Sequence, residues 1–194
     1  MIGGEFRGRP LKAPPGLSTR PTAARVREAL FGILGDIHGL KVADLCAGTG
    51  ALGIEALSRG ASHATFVDPD RAALEAIRHN LQTLKVEHRA ALLPLKVERA
   101  KKALLVQAPF DLVLCDPPWP IADRVAESLG TLLDGNLLSE DAVVVIGHRA
   151  DRPFRLPDTS HLIAGQRRSW GDSGLSWFAL RPSTDAAELA AEPE

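Results

Sequence analysis

The chain alternates short apolar runs with stretches whose apolar residues recur every three or four positions. Val42–Cys46, Ala64–Val67, Phe110–Cys115 and Ala142–Ile146 are runs of four to six residues, as expected of buried strands. His88–Leu95 is a weaker run, interrupted by Pro94. Between them the period changes. Val26, Leu30, Ile33 and Leu34 have helical spacing, Pro21 suits a first helical turn, and Gly35 to Gly39 closes that helix. Ala51–Ser58, Asp70–Leu84 with Asp70 as its cap, Lys96–Val106 and Ile121–Leu133 read as further helices.

After Asp151 a Pro-rich loop leads into a hairpin, about His161–Arg168 and Gly174–Leu180, turning through Ser169-Trp-Gly-Asp-Ser173. Five strands separated by helices predict βαβ units in a parallel sheet, and the terminal pair adds an antiparallel strand at an edge. The expected architecture is α/β, with seven mostly parallel strands and helices on both faces. An open sheet of this kind binds ligands beyond the carboxyl ends of its strands. The chemistry therefore belongs in the loops after Cys46, Val67, the third strand and Cys115.

Composition narrows the class. The chain has 194 residues, 45% hydrophobic and 24% charged, which excludes wholesale disorder. The two cysteines, Cys46 and Cys115, lie in apolar runs without C-x-x-C spacing, so they read as buried hydrophobes, and no metal is expected. The N-terminus shows no apolar signal region, and no apolar stretch approaches a membrane span, which predicts a cytoplasmic protein. The net charge of −1 taken alone disfavours a nucleic-acid partner. Its distribution reverses that. Residues 1–27 carry Arg7, Arg9, Lys12, Arg20, Arg25 and Arg27 against Glu5 alone, while residues 181–194 carry four acids against Arg181. Three regions follow: a basic extension 1–36, a main domain 37–181 and an acidic, disordered tail 182–194.

Asp44-Leu-Cys-Ala-Gly48-Thr-Gly50-Ala-Leu-Gly53 follows the first strand. It can be read as a dinucleotide fingerprint, as an S-adenosylmethionine (SAM) loop or as a tight turn without a ligand. Asp44 tilts the choice. A carboxylate at the loop's entrance repels a pyrophosphate and attracts a methionine ammonium. Asp68, ending the second strand, suits bidentate hydrogen bonding to two ribose hydroxyls.

The most specific signal is Asp116-Pro117-Pro118-Trp119-Pro120 at the end of the fourth strand. Three prolines in four residues make a rigid loop poor in N–H donors. A carboxylate and one outward carbonyl form an acceptor pair matched to the two hydrogens of an NH₂ group. Trp119 offers a flat face for a base. Two acceptors on a nucleobase amine favour a pyramidal nitrogen whose lone pair can attack a sulfonium methyl. Orientation and electrostatics then carry the catalysis, without a strong general base.

With these motifs in place, residues 2–180 resemble the RsmD family of class I methyltransferases, which act on the guanine N2 amine of 16S rRNA. The resemblance rests on Ile2-Gly-Gly-Glu-Phe-Arg-Gly-Arg-Pro-Leu11 with Thr19–Thr22 and Arg25–Phe31, on Asp44–Ala61, and on Phe110–Trp119. Trp170-Gly-Asp-Ser173 is similar to that family's Tyr-Gly-Asp-Thr. The resemblance implies a Rossmann-like class I methyltransferase fold and SAM as cofactor, leaving as S-adenosylhomocysteine. It places Asp44, Gly48 and Gly50, with Cys46 and Thr49 of the same loop, at the methionine end, and Asp68 on the ribose. Asp116 and the Pro117 carbonyl become the amine acceptors, Pro118 stiffens their loop, and Trp119, where the family usually has Phe or Tyr, stacks the base. Asp116 also borders the cofactor. The family's Asp after the third strand is missing from Leu93-Pro-Leu-Lys-Val-Glu98, so the adenine contact falls to Glu98 or a backbone carbonyl near Leu95.

In this reading Arg7, Arg9, Lys12, Arg20, Arg25 and Arg27 contact phosphates, which positions RNA without reading its sequence. The expected substrate is 16S rRNA, within a small-subunit assembly intermediate, and the expected state is a monomer. The competing readings are an N6-adenine methyltransferase, a nucleotide-dependent oxidoreductase, which leaves the Asp-Pro-Pro-Trp loop unexplained, and a non-catalytic rRNA-binding protein.

Overall fold

The computed structural model describes residues 1–14, 21–157 and 160–181. Helix α1 (Pro21–Leu34) precedes strand β1 (Lys41–Leu45). There follow α2 (Ala51–Ser58), β2 (His63–Val67), α3 (Arg71–Leu84), β3 (Ala90–Leu93), α4 (Lys101–Leu105) and β4 (Phe110–Cys115). The described residues end with α5 (Ala122–Leu132), β5 (Leu138–Arg149), β6 (Leu162–Trp170) and β7 (Ser173–Leu180). The seven strands form one sheet in the order β3-β2-β1-β4-β5-β7-β6. All pairings from β3 to β5 are parallel, and β7 runs antiparallel to both its neighbours. The α/β class, the mostly parallel sheet and the antiparallel edge hairpin are as the sequence predicts.

Both faces of the sheet are covered, which explains why the central strands read as continuous apolar runs. Val42, Leu112, Leu114 and Val145 face Leu30 and Phe31 of α1. Ala64 and Phe66 pack against Ile54 and Leu57 of α2 and Ile77 and Leu81 of α3. Ala43, Leu45, Val113, Cys115 and Val144 face Leu104 of α4 and Val125 and Leu129 of α5. Asp70 caps α3 as expected, its carboxylate accepting from the Ala72 N–H at 2.8 Å.

Three elements differ from their sequence outlines. The third strand is only Ala90–Leu93. Its start is displaced by a 3₁₀ turn over Glu87–Arg89, and the Arg89 guanidinium donates to the carbonyls of Leu57 and Ala61. The predicted helix 96–106 is divided into a 3₁₀ turn over Val97–Arg99 and the short α4, with no side chain capping the start of either. The fifth strand is longer than Ala142–Ile146 at both ends: Leu138 pairs with Phe110 of β4, and β7 pairs with it from Val143 to Arg149. The hairpin turn shortens to Gly171-Asp172, since Trp170 and Ser173 are already paired, and Gly171 adopts φ 59°. Among the described residues no helix is long and apolar enough to cross a membrane.

The chain moves outward from β1 through β2 to β3, then returns to lay β4 on the other side of β1. That reversal opens a crevice beyond Leu45 and Cys115, which are register partners. A separate cavity of about 530 Å³, rimmed by Asp36, Asp111, Glu140 and Asp141, lies at the opposite end of these strands.

Candidate active site

The loop after β1 curls tightly, because Cys46, Gly48 and Gly50 all take left-handed backbone conformations, with φ of 61°, 54° and 72°. Cys46 does so as a non-glycine residue, an uncommon conformation found at tight turns and binding sites. Gly50 begins α2 with no room for a side chain, since a Cβ there would lie 2.7 Å from Cγ1 of Ile77. Gly48 faces open space, with nothing within 4 Å of such a Cβ. The loop is thus packed behind Gly50 and clear at Gly48, which is what a backbone approached closely by a ligand requires. Thr49 is half-buried between them.

Two carboxylates hold this loop. Asp44 is 1% exposed, and its Oδ2 accepts from the Gly53 N–H at 2.8 Å. Asp68, half-buried beyond β2, accepts from the Gly48 N–H at 2.8 Å through Oδ2 and from the Asp70 N–H at 2.9 Å through Oδ1. A carboxylate offers about four lone-pair sites. Asp68 can therefore organise the loop and still accept from a diol.

Asp116 lies exposed at the mouth of the crevice, beyond β4. A Cβ on Gly147 of β5 would come within 2.3 Å of its Oδ1, so the neighbouring strand must be bare there. Burial raises the Asp44 carboxyl to about pH 8, with Asp116 and Asp68 adding to the rise and the Gly53 hydrogen bond opposing it. Three acids thus converge on one crevice, and the deepest retains its proton near neutral pH. Such a donor set fits a cationic ligand, which would relieve the repulsion, and disfavours a pyrophosphate. The Cys115 thiol is likewise held protonated, first by its hydrogen bond with Cys46, then by burial.

Pro117 is buried, while Pro118 and Trp119 reach the surface. The loop closes with a bond from the Ile121 N–H to the Pro118 carbonyl at 3.0 Å, and Trp119 is 37% exposed. The Arg149 guanidinium lies over the indole, 5.1 Å from its centroid. Leu95, half-buried just past β3, donates its N–H to the Leu93 carbonyl at 2.9 Å. Glu98 pairs with Arg124 of α5 at 3.2 Å and is thereby committed elsewhere.

The basic residues divide. Arg7, Arg9, Lys12 and Arg25 are exposed. Arg27 is half-buried, and its Nε lies 4.0 Å from Oε2 of Glu55, whose side chain is fully buried. Arg20 lies outside the described residues. Sequence reading missed what fixes this head. The Glu55 carboxylate accepts from the N–H groups of Ile2 at 2.9 Å and Gly3 at 2.7 Å and from Arg59 Nε at 2.9 Å. Ser58 Oγ accepts from the Phe6 N–H at 2.9 Å and donates to the Gly3 carbonyl at 2.6 Å. Asn80 of α3 pairs with both backbone groups of Lys12, at 2.8 and 2.9 Å. The only local signal was an acid inside the apolar helix Ala-Leu-Gly-Ile-Glu-Ala-Leu-Ser, one turn before Arg59.

The family model described as "Conserved hypothetical protein 95" matches residues 1–179. The Bacillus subtilis protein YlbH is 37% identical over 185 residues, 93% of this chain and 98% of its own length. Ribosomal RNA small subunit methyltransferase D of Escherichia coli is 37% identical over 149 residues, 75% of this chain and 72% of its own. The solved structure of the Escherichia coli protein yhhF superposes with a TM-score of 0.76 at 31% identity, covering 93% of this chain and 97% of that one.

Proposed function

The chain belongs to the RsmD family of rRNA methyltransferases, and from that premise we propose that it transfers a methyl group from SAM to the exocyclic N2 amine of a guanine in 16S rRNA. The observation that carries the reading is the convergence of Asp44, Asp68 and Asp116 around one crevice, with Trp119 at its rim. When bound there, SAM supplies an electrophilic methyl on a sulfonium.

The chain's own residues do the rest. Asp44, through its buried carboxyl, and the loop from Cys46 to Gly50 receive the methionine end. Asp68 receives the ribose, and the backbone at Leu95 receives the adenine in place of Glu98. Trp119 stacks the flipped base. Asp116 and the Pro117 carbonyl accept from the two amine hydrogens, which localises the nitrogen lone pair and aims it at the methyl carbon. The proton released after transfer leaves through the exposed Asp116 to solvent. Arg7, Arg9, Lys12 and Arg25 hold phosphates, with Arg20 and Arg27 completing the basic extension 1–36. The substrate is an assembly intermediate of the small subunit, met by a cytoplasmic monomer.

The test is labelled-methyl transfer from SAM to naked 16S rRNA and to 30S particles from a strain lacking this protein, followed by nucleoside analysis. N2-methylguanosine is the expected product, and N6-methyladenosine in its place overturns the guanine assignment. Asp116→Ala is expected to lower kcat by at least about a hundredfold. Full activity in that variant rejects the mechanism.

A further inference from the structure

The turn at Gly171-Asp172 has no role in the reaction above, yet one side chain links it to the target loop. Arg149 ends β5, two residues beyond the Gly147 that accommodates Asp116. Its guanidinium covers the Trp119 ring at 5.1 Å. The same group donates twice to Asp151, from Nε to Oδ1 and from Nη2 to Oδ2, each at 2.8 Å. The backbone beneath is fixed from both sides. Arg149 pairs with Ser173 of β7, and the Ala150 N–H donates to the Asp172 carbonyl at 2.9 Å. The Arg149 carbonyl accepts from the Arg152 N–H at 3.1 Å and contacts Nδ1 of the buried His148 at 2.7 Å. A carbonyl only accepts, so that Nδ1 carries the proton, and Nε2 takes the Ser176 hydroxyl at 2.9 Å.

We propose that Arg149 is a positioning residue for the target base: it lies over the Trp119 indole and so sets the orientation in which that ring meets the incoming nucleobase. The inference rests on the methyltransferase reading of the Asp-Pro-Pro-Trp loop. A planar guanidinium packs over an aromatic ring as no other cationic side chain does. The carboxylate fork of Asp151 sets the plane of the guanidinium, and the guanidinium sets the plane of the ring. Asp172, across the turn, adds a smaller favourable charge to that of Asp151. The family-like turn thus acts on the reaction at one remove, through Arg149 and Trp119.

Two variants test this. Arg149→Met keeps length and removes charge and planarity, and Arg149→Lys restores the charge alone. Acrylamide quenching of Trp119 is read as the difference between each protein and its Trp119→Phe counterpart. Methyl transfer to the rRNA substrate is measured as kcat and KM, and SAM affinity by calorimetry. Arg149→Met is expected to raise the Trp119 quenching constant about twofold and to lower kcat about three- to tenfold, with KM, SAM affinity and melting temperature unchanged. Arg149→Lys is expected to recover kcat only in part. Unchanged quenching overturns the proposal, as does raised quenching at unchanged kcat. A wild-type protein that transfers no methyl to rRNA rejects the reaction itself and the positioning role with it. An active wild type beside an indistinguishable Arg149→Met rejects the positioning role alone.

Discussion

Asp44 is a carboxyl group whose ionisation opposes folding. Burial, Asp116 and Asp68 raise it to about 8 in the folded chain, whereas an unfolded aspartate ionises near 3.9. Between those pH values the unfolded chain releases a proton that the folded chain keeps. Stability from this group is therefore complete below about pH 4 and declines as pH rises towards about 8. Asp44→Asn keeps an acceptor for the Gly53 N–H and removes the penalty. Its melting temperature without SAM is expected to exceed the wild-type value by roughly 5 °C at pH 8 and to match it at pH 4. An equal gain at both pH values contradicts the assignment. The sequence revealed Asp44 as the acid at the end of a strand beside a glycine loop. Its burial and retained proton were not legible, because both come from the packing of the folded sheet around it, with Asp116 and Asp68, delivered by two other strands, adding to the rise. Gly147 was hidden for the same reason: its bareness makes sense only once β5 lies against Asp116.

At the scale of elements, α2 works at both ends. Its first turn closes the glycine loop, and its last holds residues 2–6 through Glu55 and Ser58. Ser58→Ala would leave the buried Phe6 N–H and the Gly3 carbonyl without that partner, at a cost of about 2 kcal/mol. Trypsin cleavage after Arg7 is expected to accelerate in this variant well before global unfolding. Cleavage at the wild-type rate indicates that the head does not depend on the clamp. The central strands and α3 were legible because period and caps are local. The length of β5 and the start of β3 were not, because each is set by distant partners: β4 and β7 for one, the Arg89 contacts with the α2 region for the other.

For the whole molecule, the net charge of −1 conceals an asymmetry of use. Arg7, Arg9 and Lys12 stand exposed on a backbone tied down by Glu55, Ser58 and Asn80. Replacing the three with Gln is expected to weaken rRNA binding and to reduce the slope of log affinity against log salt by about 2. An unchanged slope places phosphate binding elsewhere. Charge counting indicated the basic head, but not that Arg27 turns inward to Glu55, since burial is invisible in a list of charges.

The sheet order has a temporal consequence. Strand β7 is made last yet lies inside β6, which has no other neighbour in the sheet. During synthesis β6 must wait beside an incomplete sheet until the final strand is inserted between it and β5. The glycine loop and the Asp-Pro-Pro-Trp segment can form earlier. The wall that carries Arg149 gains its β7 partner only after the other six strands have been made, so a nascent chain can complete its cofactor loop before its substrate side.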